Sequence, residues 1–168
     1  MSTWQSVILK SNDVIKLPKN TKVTVQLVCA VPAKLHLHAF YQTKEGGEGH
    51  VYYKNKGNLY LPPCIEWNEE EEKEVLSVKT LTHVETLLIA VQLNKGFVDL
   101  LKGGESFAKY EGCLIVHTDS PYQFEIPLDA QRRGLWYVAA KIVNQELSQI
   151  ERIDKVQKFQ PHLANFLG

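Results

Sequence analysis

An all-β protein, folded as an antiparallel sandwich of two packed sheets, is what the patterning of this chain predicts. Short apolar runs alternate with a period of two, turn residues separate them at short intervals, and helical spacing competes only in the tail. The 168 residues suffice for one domain with a substantial core and are few for two. Residues 1–168 are therefore read as a single domain.

Residues 23–30 alternate, with Val23, Val25, Leu27 and Cys29 on one face, and their β-branched content suits a half-buried strand that Pro32 then ends. Residues 35–42 alternate again, placing Leu35, Leu37, Ala39 and Tyr41 together; the short link 31–34 predicts that the two runs pair as a hairpin. A glycine-rich loop at 44–49 precedes a short strand at 50–53 and a turn at 54–58. Residues 59–61 and 65–67 are brief extended pieces around Pro62-Pro63, and the acidic run Glu69-Glu70-Glu71-Glu72 comes before Val75, Leu76 and Val78. Residues 87–93 are nearly all apolar, the pattern of a central strand covered on both faces. Residues 94–105 read as a loop in which Phe97 to Leu101 can form one helical turn. Residues 112–117 and 122–126 flank the turn Thr118-Asp119-Ser120-Pro121 as a hairpin, and residues 136–143 form the next strand. In the tail, Leu147, Ile150, Val156 and Phe159 recur at roughly helical intervals, so a helix there competes with a strand through Ile150 and a short helix after Pro161.

Nineteen basic residues balance nineteen acidic ones, which gives no global attraction to nucleic acid or anionic lipid. Cys29, Cys64 and Cys113 are widely spaced and form no Cys-x-x-Cys pair, against both a zinc knuckle and a disulfide framework. Cys29 and Cys113 lie in apolar runs where a buried thiol packs well, and no helix N-terminus or basic pair flanks them to activate a nucleophile. The opening residues lack the charged and apolar regions of an export signal, and the longest apolar run, 87–91, is far short of a membrane span. The expectation is a cytoplasmic protein, at most peripheral to a membrane through a partner.

Several segments, in order along the chain, resemble the bacterial tellurium resistance family, the TerD and TerA group. They are residues 6–10 (Ser-Val-Ile-Leu-Lys) with 14–17 (Val-Ile-Lys-Leu), 34–40 (Lys-Leu-His-Leu-His-Ala-Phe), 50–55 (His-Val-Tyr-Tyr-Lys-Asn), 65–68 (Ile-Glu-Trp-Asn) and 134–142 (Gly-Leu-Trp-Tyr-Val-Ala-Ala-Lys-Ile). The tail is closer to the TerA-like branch. The resemblance implies a two-sheet β-sandwich in a cytoplasmic bacterial protein linked to stress or tellurite resistance, with protein partners in a stress-response complex, an ancestral calcium site on loops at one end, and no established enzymatic activity. Family members that bind calcium carry Asp-x-Asp before the Ala-Phe strand and an Asp-rich stretch before the Phe-Tyr-Asn strand. Here those positions hold Lys34 and His36, then Glu48, Gly49 and His50. Calcium takes six to eight oxygens, so this replacement implies that high-affinity binding at the family site is lost.

Two further constellations are candidates for a site. Asn68 to Glu72, with Glu70 and Glu72 as its leading ligands and Glu66 and Glu74 nearby, keeps negative charge that suits a cation, a basic partner or plain solvation. His36 and His38 lie two apart in a strand, hence on one face, with His50 as a possible neighbour, an arrangement suited to a transition metal. Arg132-Arg133 reads as a solvated link or an anion contact, and Trp4, Trp67 and Trp136 as packing residues or, if exposed, a sugar platform. No nucleophile elbow, phosphate loop, dinucleotide-binding glycine pattern or His-Glu-x-x-His is present. The sequence thus favours a non-enzymatic binding or scaffold domain, with a calcium or transition-metal sensor and a carbohydrate-binding sandwich as the alternatives.

Overall fold

A computed structural model describes residues 5–31, 34–94 and 104–167. Two large sheets pack face to face, as the alternating runs require. Strands β1 (Gln5–Ile8), β12 (Tyr122–Pro127), β11 (Cys113–Thr118), β3 (Val23–Val28), β8 (Lys73–Val78), β7 (Ile65–Glu70) and β6 (Gly57–Asn58) form the first sheet in that spatial order. The second runs β2 (Val14–Leu17), β15 (Ser148–Gln157), β14 (Trp136–Asn144), β9 (Val84–Leu93), β4 (Leu35–Thr43) and β5 (Glu48–Val51). A small ribbon pairs β10 (Glu105–Ser106) with β13 (Arg133–Gly134). Among the described residues every ladder is antiparallel except β1 on β12, which is parallel at a sheet edge.

The core follows the period-two rows. Val23, Val25 and Leu27 of the first sheet and Leu35, Leu37 and Ala39 of the second are all buried in one cluster. β9 lies between β4 and β14, and Leu87 through Val91 are buried on both faces, as its unbroken apolar run predicts. The β11–β12 hairpin forms as predicted, with Leu114 opposite Ile126 and Val116 opposite Phe124.

The predicted pairing of residues 23–30 with 35–42 is wrong. β3 pairs with β11 and β8, whereas β4 pairs with β9 and β5, so the chain crosses from one sheet to the other between them. Both runs carry one apolar row, and in a sandwich such rows can meet across the core as well as edge to edge. The strand read at 50–53 is β5, shifted two residues toward the N-terminus, and residues 59–61 are bends instead of strand.

The tail resolves into the strand β15, then a single turn of 3-10 helix at Leu163–Phe166. This final segment folds over the outer face of the second sheet, burying Pro161 and Leu163, and the Lys141 Nζ donates to the Phe166 carbonyl at 2.9 Å. Trp4 and the helical turn read at 97–101 lie outside the described residues. Among those residues no helix is long and apolar enough to cross a membrane.

Candidate functional site

Strand β4 puts His36, His38 and Phe40 on the same side, and the register sets Phe40 opposite His50 on β5. The three histidines do not converge on one point. His38 Nδ1 lies 2.8 Å from His50 Nε2, so one imidazole donates to the other. Their rings stack in an aromatic box: His50 lies 4.1 Å from Phe40 and 4.2 Å from Tyr52, and His38 meets the Trp136 indole edge-on at 4.7 Å. His38 is 2% exposed. Burial, reinforced by the neighbouring His50, lowers its pKa to about 3, and burial lowers that of His50 to about 4. Both rings are therefore neutral near pH 7. A structural zinc takes four ligands, and among the described residues no group of three or more His, Cys, Asp and Glu is arranged to hold a metal.

His36 turns the other way. Its Nδ1 donates to Glu74 Oε2 at 2.9 Å, while Glu74 Oε1 accepts from the Leu37 amide at 3.0 Å and from the Trp67 indole Nε1 at 2.9 Å. β5 pairs only with residues 39–42 of β4; among the described residues no strand pairs with the earlier half of β4 on that side, and the Glu74 carboxylate supplies the acceptor that its Leu37 amide needs. His36 also packs against Tyr53, ring centroids 4.4 Å apart and planes tilted by 32°.

This hub forms the floor of a cleft of about 640 Å³ lined by His36, Tyr53, Lys56, Trp67, Asn68, Glu69, Glu72 and Glu74. The β7–β8 hairpin builds its acidic wall. Its turn residues Glu71 and Glu72 both have left-handed φ, 51° and 65°, which the two-residue hairpin turn demands. The register then places Glu69 directly opposite Glu74, a like-charge pair that costs stability. The Lys56 ammonium sits 5.5 Å from the centre of the Trp67 ring, within cation–π range.

No family model, no curated protein and no solved structure matches this chain.

Of the residues singled out in the sequence, His36, Asn68, Glu69 and Glu72 line the cleft. His38 and His50 form the separate pair, and Glu70 closes the hairpin opposite Lys73 without lining the cleft. Trp67, Tyr53, Lys56 and Glu74 complete the site and carried little weight in sequence. Glu74 had a readable signal: it lies in the same alternating row as the buried Leu76 and Val78, a carboxylate where the pattern wants an apolar residue.

For a hard cation the donors are mixed: the Glu69 and Glu72 carboxylates and the Asn68 amide stand beside the His36 imidazole and the Lys56 ammonium. Lys34, outside the cleft, and His36 bring nitrogen where the family resemblance implies carboxylates, and the Glu74 oxygens already accept three N–H groups. Trp67 and Trp136 are 6% and 5% exposed and belong to the core cluster, Trp67 with the Lys56 ammonium laid over its ring, so neither offers an exposed face for a sugar. Arg132 and Arg133 are exposed. The thiol expectation needs one correction: Cys64 is the buried cysteine, while Cys29 and Cys113 are half-buried. Burial raises the pKa of both Cys29 and Cys113, against a reactive thiolate.

Proposed function

We propose that this chain is a non-enzymatic binding domain, similar to the TerD and TerA proteins, that works through protein partners in a bacterial stress-response system and has lost high-affinity calcium binding. The observation that carries the binding reading is the cleft, where two aromatic side chains, an imidazole and three carboxylates from three separate stretches of sequence meet. Its chemistry is recognition: the cleft's His36–Glu74 contact is tied down by Trp67 and the Leu37 amide, and among the described residues no activated nucleophile stands beside it. The loss of calcium affinity is supported by Lys34 and His36 standing where the family resemblance implies carboxylates, and by the three N–H groups that Glu74 already accepts.

A thermal-shift titration of chelator-treated protein tests the calcium part. A ligand that binds only the folded state raises the melting temperature, so micromolar calcium should leave it unchanged. A rise of several degrees that Glu69→Gln with Glu72→Gln abolishes would restore the sensor reading.

A further inference from the structure

We propose that the cleft takes an alkylammonium or guanidinium side chain presented by a basic segment of a partner protein, seated against Trp67 between Glu69 and Glu72. The inference rests on the cleft being the binding site and adds the chemistry of its occupant.

The first observation is that the chain's own cation marks the position. Lys56 lines the cleft with its ammonium 5.5 Å from the Trp67 ring centre, the geometry in which an aromatic face attracts positive charge. Trp67 is fixed there by its indole bond to Glu74, so the ring face that Lys56 covers is held in a set orientation. The second observation is unbalanced charge. The Glu69 and Glu72 side chains are exposed and enter no ion pair among the described residues. Glu69 faces Glu74 across the hairpin, so repulsion is built into the unliganded cleft and an incoming cation relieves it. The whole chain has no net charge; the negative potential here is local, and its complement is a positive side chain and not a generally basic surface.

Inorganic calcium gains nothing from an indole face and finds the Glu74 oxygens already accepting three N–H groups. An organic cation uses both. The cleft, about 640 Å³, has room for a long side chain together with part of the backbone that presents it, which favours a polypeptide over a free amine.

The test is fluorescence anisotropy of a labelled, capped peptide of alternating lysine and glycine, at low salt, on the intact chain. Glu69→Gln with Glu72→Gln should weaken binding at least tenfold. Glu70→Gln with Glu71→Gln, which removes the same charge from the same acidic run outside the cleft, should change it less than about threefold. Lys56→Met should tighten binding by evicting the internal competitor, whereas Lys54→Met should not. Lysine acetylation of the peptide should abolish the signal. Equal losses in the two glutamate pairs, equal binding of the acetylated peptide, or free spermidine competing as tightly as the peptide would each overturn the proposal. If the cationic peptide fails but a neutral or anionic ligand shifts the Trp67 indole resonance, this inference falls while the cleft stands as the binding site; if no ligand shifts it, both fall. Each variant's circular dichroism and melting temperature are checked first, and the exposed positions of all four glutamates make a folding defect easy to separate from a binding one.

Discussion

Glu74 shows how much one side chain can organise. Its carboxylate accepts from an imidazole, an indole and a backbone amide, so it stabilises the edge of β4 that β5 does not reach and aims Trp67 in one step. The neighbouring turn carries a cost: Glu71 and Glu72 hold left-handed backbone that a non-glycine residue adopts at about 1 kcal/mol or more. The double variant Glu71→Asn, Glu72→Gly, which installs the residue pair such a turn prefers, should raise stability by about 1 kcal/mol, or about 2–4 °C in melting temperature. The same change should weaken cationic-peptide binding because Glu72 lines the cleft. A melt that is unchanged or lower would count against stored strain at this turn. The turn was not legible in sequence, since hairpin turns with two left-handed residues are normally announced by Asn-Gly or Asp-Gly, and four glutamates in a row read as a solvated loop.

At the scale of elements, strands β4 and β5 were largely legible, because alternation assigns His36 and His38 to one face whatever the partner strand. Alternation does not say which side chain each histidine meets. That depends on β5 stopping short of the first half of β4, which leaves His36 to Glu74 and gives His38 to His50. The crossing from β3 to β4 was hidden for a similar reason, since an apolar row fits an edge partner and a facing sheet equally well. The paired histidines make a pH prediction. An unfolded histidine takes its proton near pH 6.5, whereas the folded pair stays neutral down to about 4 for His50 and about 3 for His38. Stability from this source is therefore whole above pH 6.5 and falls as the pH drops from there toward the folded values, because the unfolded chain binds the extra protons. His38 alone should remove about 2 kcal/mol between pH 6.5 and 5, with a smaller share from the half-buried His50. Urea titrations across that range should show the decline, and the double variant His38→Phe, His50→Phe should lose this part of it. A variant whose pH profile matches the parent's would refute the neutral pair.

For the whole molecule, the sheets are joined by polar ties as well as by the shared core. Arg152 on β15, almost wholly buried, donates to the Pro127 carbonyl at the end of β12 and pairs with Asp129 at 2.9 Å and with Asp154 at 3.3 Å. A buried charge held by this many partners is costly to strip of them, and here it fixes one edge of the sandwich. The cleft lies elsewhere, on the β4, β7 and β8 side. The sandwich class was legible from spacing and alternation, but the site needed the third dimension: Tyr53, Lys56, Trp67 and Glu74 acquire meaning only once β4 is laid beside the β7–β8 hairpin. The most direct test of the cleft as the binding site is the two-dimensional nitrogen–proton NMR spectrum of the labelled chain, recorded while the lysine–glycine peptide is added. The Trp67 indole and the backbone amides of Leu37, Asn68 and Glu74 should move first and furthest, with Arg152 and Asp154 unmoved. Shifts centred anywhere else on the sandwich would contradict it.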